Sequence, residues 1–198
     1  MLHSATFFSA LLIGLLSAEP QAVDARSHCD HELAMPASTT HITLEEALKL
    51  ALPDCQVERA TVYLTDDQKK RADELAGEPL DSAIVRPYIG RKDGVLVGTV
   101  YFDSHRVRTL RETILVLVDT DQKVARIELL AFGEPDEYAP KADWYGQFIG
   151  KQLDDELNLK RGIRNIAGAS LTARATTSAV RRVLAAHKVL NPAGGGGK

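Results

Sequence analysis

Gly168-Ala169-Ser170-Leu171-Thr172 brings two hydroxyls and two residues of almost no bulk to the head of an amphipathic stretch that runs to about Leu190. Gly168 and Ala169 let a partner approach the backbone closely. Ser170 and Thr172 then offer hydroxyls beside the N–H groups that a helix start leaves unpaired. Those amides, with the positive end of the helix dipole, favour an anion, and a phosphate suits them. Arg174 adds a charge-assisted contact. The same residues also suit a plain N-cap, because Ser and Thr before a helix accept from its first amides. Both readings stand on these five residues.

Other chemistry-bearing residues are sparse. His28-Cys29-Asp30-His31 groups possible metal ligands, but its spacing matches no standard zinc framework, so no metal site is expected. Two cysteines are too few for a four-cysteine iron–sulfur cluster, and without a Cys-X-X-Cys-His run covalent c-type haem is excluded. The six histidines form no triad-like pattern, and there is no Gly-X-Ser-X-Gly elbow, phosphate-binding loop or Rossmann glycine pattern. No catalytic residue is therefore assigned. The acidic clusters at 66–67 and 154–156 read as solvated charge in helix starts or connectors, and Arg181-Arg182 as a solvated helix face. A net charge of -3 with no basic stripe argues against nucleic acid as a partner.

The elements that must position Ser170 follow from pattern. The 198 residues, 44% of them hydrophobic, suffice for one sizeable core. Ala5 to Ala18 is almost wholly apolar, short for a membrane-spanning helix, and followed by small residues, so residues 1–25 read as a secretory signal peptide cut between 18 and 25. The start, Met1-Leu2-His3-Ser4, lacks Lys and Arg, which keeps an uncleaved anchor open. Export to an oxidising compartment would permit, without requiring, a Cys29–Cys55 disulfide.

A linker at 26–42 precedes a helix–strand–helix module at 43–80. Thr43-Leu44-Glu45-Glu46 and Thr65-Asp66-Asp67-Gln68 are capping boxes opening helices that end near Leu52 and Gly77, with one strand expected at Val57 to Leu64 between them. The rest, 81–190, opens with two hairpins: Ile84 to Gly90 with Val95 to Phe102, and Thr113 to Val118 with Val124 to Phe132. The expected fold class is α+β, a single domain with an antiparallel sheet of about four or more strands covered by helices. Ile114 to Val118 is apolar on both faces and should be central. Trp144, Tyr145 and Phe148 fall at helical spacing within Ala142 to Lys151, and Ala175, Ala179, Val183, Ala186 and Leu190 form a stripe on the last helix. The tail, 191–198, reads as disordered linker.

In order, the second hairpin, the Glu134-Pro135 loop, Trp144 to Lys151, and Ile163 to Thr172 ahead of a helix resemble the FMN-binding domain family. That family includes the small flavin-bearing subunits of the Rnf electron-transport complex and of the sodium-pumping NADH:quinone reductase. Its signature is roughly D-x-x-S-G-A-T-x-T-S; here Arg164-Asn165-Ile166-Ala167-Gly168-Ala169-Ser170-Leu171-Thr172-Ala173 stands in its place. The resemblance covers residues 85 to 190. It implies an exported electron carrier, periplasmic and in touch with membrane or periplasmic redox proteins. FMN would be joined by phosphoester to Ser170 by a magnesium-dependent flavin transferase, with Thr172 as the fallback hydroxyl.

Gly168, Ala169, Leu171 and Arg174 would border the attachment, and Glu134 and Tyr138 fall in a loop like the family's flavin-side segment. Arg164 and Ala167 depart from the family Asp and Ser. Two alternatives accompany this reading: a flavin-free binding module of the same fold, and an enzyme using non-covalent FMN. The aromatics at 144, 145 and 148 are either core or ring-shielding.

Overall fold

A computed structural model describes residues 39–40 and 42–191. The expected signal peptide, most of the expected linker, residues 192–198 and the cluster around Cys29 lie outside the described residues, and so does any pairing of Cys29 with Cys55.

Short strand β1 (Thr39–Thr40) precedes helix α1 (Leu44–Ala51). Thr43 caps α1 as its residue types require, accepting from the Glu46 N–H while the Glu46 carboxylate accepts from the Thr43 N–H. Strands β2 (Gln56–Arg59) and β3 (Val62–Tyr63) lead to α2 (Asp66–Ala76), opened by the reciprocal Thr65–Gln68 cap and closed by Gly77 in the left-handed region at φ 81°. Then follow β4 (Ile84–Val85), β5 (Tyr88–Lys92), β6 (Val95–Arg106), β7 (Arg111–Asp119) and β8 (Val124–Phe132). A short helix, α3 (Ala142–Tyr145), continues as a 3₁₀ turn at Gly146–Phe148, and α4 (Ser170–Leu190) completes the fold.

The fold is α+β. A six-stranded antiparallel sheet runs β1-β8-β7-β6-β5-β2, beside a two-stranded ribbon of β3 and β4. Strand β7 is central, and its side chains alternate between two cores. Ile114, Val116 and Val118 pack with residues of α2 and α4, including Ala72, Val180 and Leu184, while Leu115 and Leu117 pack with Ala47, Ala51 and Leu52 at α1. Burial on both faces is why this strand reads as a continuous apolar run.

Four expectations need correction. The strand Val57 to Leu64 is two strands, and so is Ile84 to Gly90. Register is continuous across both gaps, with Arg59 opposite Tyr88 and Val62 opposite Val85. The ladder is interrupted because Pro87 has no N–H to give; its carbonyl still accepts from Ala60. The aromatic segment forms only one short helix and a turn. Arg181 and Arg182 are not a solvated face: Arg181 donates to the carbonyls of Leu75, Ala76, Asp154 and Leu157, covering the end of α2, and Arg182 pairs with Glu78 and Asp103.

Helix α4 rests on β6 along a polar seam. Alternation turns Tyr101, Asp103 and His105 to one face. Tyr101 meets His187, Asp103 meets Arg182, and His105 reaches Thr176 through Glu112. The two elements run antiparallel, so successive strand positions meet successive turns of the helix.

Candidate functional site

Ser170 is the first residue of α4, exposed, and the cap position ahead of it is Ala169, which offers no side-chain acceptor. Neither Ser170 nor Thr172 caps the helix, so the capping reading of these hydroxyls fails. Gly168 sets the geometry: its φ of 81° lies in the region that favours glycine, and the space around it is open. The backbone turns there into the helix, and no side chain accepts from its first amides.

The two candidate hydroxyls have different fates. Thr172 is 1% exposed, and its hydroxyl donates to the Tyr138 carbonyl at 3.0 Å. Ser170 opens instead onto a cleft of about 490 Å³ whose walls include Asn158, Lys160, Asn165, Arg174 and Arg181. No Asp or Glu lines it. Arg181 is occupied by carbonyls, whereas Lys160 and Arg174 form no ion pair or side-chain hydrogen bond with another described residue. Two uncommitted cations therefore share a polar hollow with an exposed hydroxyl and the positive end of a long helix. Such a hollow takes an anion.

Lys160 is held there by a tight loop. Its own φ is 66°, unusual for a residue with a side chain, and its N–H donates to Ile163. The Arg161 and Ile163 amides both donate to Asn158, and the Gly162 amide to Glu156. A Cβ at Gly162 would sit 2.5 Å from the Glu156 carbonyl oxygen, so glycine is what lets the loop close.

The upstream aromatic segment anchors the approach to Ser170. Trp144 Nε1 donates to the Arg164 carbonyl at 2.8 Å, and the Arg164 N–H donates to Gln147 Oε1 at 2.7 Å. Tyr145 and Phe148 are buried in the core. Glu134 and Tyr138 do not line the cleft. Glu134 Oε1 accepts from the amides of Leu110, Thr109 and Arg108, which hold its carboxyl below the usual range against the opposing effect of burial. Arg108 lies over the Tyr138 ring at 5.2 Å, so these residues join the β6–β7 turn to the first turn of α4. Of the residues named from sequence, Ser170 and Arg174 line the cleft, Gly168 and Ala169 precede Ser170 without lining it, and Leu171 is exposed.

Sequence reasoning missed Lys160 and Asn165 as cleft residues, and it missed a buried cluster entirely. His105 lies between Asp103 and Glu112, at 2.9 Å from each; Glu112 also accepts from Tyr145 at 2.7 Å and Thr176 at 2.8 Å. Burial opposes charge on His105, but its bonds to the two carboxylates prevail and push it up to about 9. Burial and the Glu112 carboxylate raise Tyr145 well above the ordinary phenol range.

No family model matches the chain, and no curated protein matches it. Among the described residues no helix is long and apolar enough to cross a membrane, and no group of three or more His, Cys, Asp or Glu could hold a metal ion.

Proposed function

We propose that this chain is an exported electron-transfer flavoprotein carrying FMN as a phosphoester on Ser170. One observation carries the reading: the exposed Ser170 hydroxyl stands at the uncapped head of α4 and opens onto a cleft with two uncommitted cations and no acid. These residues suit a tethered phosphate. Lys160 and Arg174 would balance its charge, the uncapped amides of α4 would donate to its oxygens, and Asn165 offers both an amide donor and an acceptor. FMN supplies the redox chemistry; the chain's part is to hold and orient it.

In attachment, the Ser170 oxygen would bond to the FMN phosphorus of FAD as the pyrophosphate bond breaks, AMP leaves, and the hydroxyl proton passes to solvent or to the transferase. A magnesium-dependent flavin transferase would perform this step, and the loaded protein would exchange electrons with membrane or periplasmic redox proteins. A second reading, a flavin-free binding module, is favoured by Arg164 and Ala167, both exposed beside the motif where the family carries Asp and Ser.

Co-expression with a flavin transferase separates the two. Under the first reading the intact mass rises by one FMN less one water, yellow colour survives acid denaturation, and the label maps to Ser170. Ser170→Ala abolishes the adduct, and Ser170→Thr keeps it. An unmodified, colourless chain from the same cells supports the binding module, and colour released by acid means non-covalent FMN.

A further inference from the structure

Nothing in the proposed flavin chemistry uses the buried cluster under the middle of α4. Glu112 is fully enclosed at 0% exposure, and its carboxylate accepts from an imidazole, a phenol and a hydroxyl supplied by β6, α3 and α4. His105 faces an acceptor at each ring nitrogen, so it serves both only when both nitrogens carry protons. A carboxylate buried this deeply is tolerated when charge and hydrogen bonds compensate it, and is costly once a partner is removed.

We propose that the Asp103–His105–Glu112 cluster is a protonation-dependent latch: loss of one proton from His105 removes the positive charge between the two carboxylates and one of its two hydrogen bonds to them, and loosens the half of α4 that carries Ser170.

The groups facing His105 are Asp103 on its own strand and Glu112 on β7; Tyr145 on α3 reaches Glu112 from the other carboxylate oxygen. From α4, Thr176 reaches Glu112 and Arg182 reaches Asp103; Glu78, beyond α2, pairs with Arg182. With its pKa pushed up to about 9 from 6.5, the contribution of His105 is complete below pH 6.5 and lost as pH rises through 9.

The other end of the seam behaves oppositely. His187 is buried with its Nδ1 2.9 Å from the Tyr101 hydroxyl, and Asp119 is the charge acting on it. Burial lowers its pKa to about 4, so its contribution is complete above pH 6.5 and lost as pH falls. Base should therefore release the Ser170 half of α4 first, and acid the Leu190 half.

The latch stands whether or not Ser170 carries a flavin, and the test uses the full unmodified chain. Amide hydrogen exchange is measured along α4 from pH 4.5 to 9, each rate divided by its intrinsic value. The ratio of Thr176 and Thr177 to Ala185 and Ala186 should climb by up to about tenfold per pH unit above 6.5 and fall below it. A ratio that does not change with pH means that α4 undocks as one unit and overturns the latch. In His105→Gln the alkaline rise should vanish; if it persists, His105 is not the latch. Should that variant fail to fold, ring ¹⁵N shifts of His105 in the native chain decide: both nitrogens protonated at pH 7 support the latch, and a neutral ring refutes it.

Discussion

The head of α4 and its middle lie within two turns of each other and are built on opposite terms. At the head, a hydroxyl, several amides and two cations have no partner within the described chain. Two turns on, around Thr176, no buried side-chain nitrogen or oxygen lacks a hydrogen bond, and Glu112 alone satisfies three donors. Spare bonding capacity marks the place where something else can be held; exhausted capacity marks the place that does the holding. A rigid, saturated seam beneath a helix is what permits its first turn to remain unsatisfied without fraying.

Breaking the saturated region should have the largest effect. Glu112→Ala leaves His105 with Asp103 alone and removes the acceptor for Tyr145 and Thr176, so the urea midpoint should drop by the equivalent of about 3–5 kcal/mol. A loss of under about 1 kcal/mol would show that the cluster is dispensable.

Next in size is pH. With His105 favouring protonation and His187 opposing it, unfolding free energy should peak near pH 6.5 and fall by about 1.4 kcal/mol per pH unit on each side, toward 9 and toward 4. Denaturation at several pH values reads this directly, and a plateau from 5 to 9 would contradict both assignments.

The smallest change in stability is expected at the head. Replacing Lys160 and Arg174 together by Ala should alter stability by less than about 0.5 kcal/mol, because neither holds another described residue. Yet the yield of flavin adduct at Ser170 should fall about tenfold, the loss of roughly 1.4 kcal/mol of anion recognition. A large stability loss in this double variant would erase the contrast between the two regions.

What could be read in advance follows the same division. The caps at Thr43 and Thr65 and the glycine stop at Gly77 were legible because each depends on residues three or four apart. The central position of β7 was legible from its uninterrupted apolar run. Ser170 and Arg174 were legible because one helix turn brings them together. Lys160 was not, since it reaches the cleft through a loop whose closure depends on Gly162 and Glu156. The cluster needed residues from 103 to 176, although one signal was present: His105 and Glu112 are direct cross-strand partners in a hairpin turning at Val107 to Leu110. An expected strand end at Phe102, four residues short of Arg106, hid that pairing.

The chain contains one tryptophan, and its indole is fastened to the carbonyl of Arg164, four residues before Gly168. Its emission therefore reports on one place, the strap leading into the proposed attachment point. A red shift would signal that strap lifting away while the sheet stays folded, and a chromophore tethered at Ser170 would draw energy from the indole and dim it. Loading, seating and release of the strap can thus be followed in real time without adding any label.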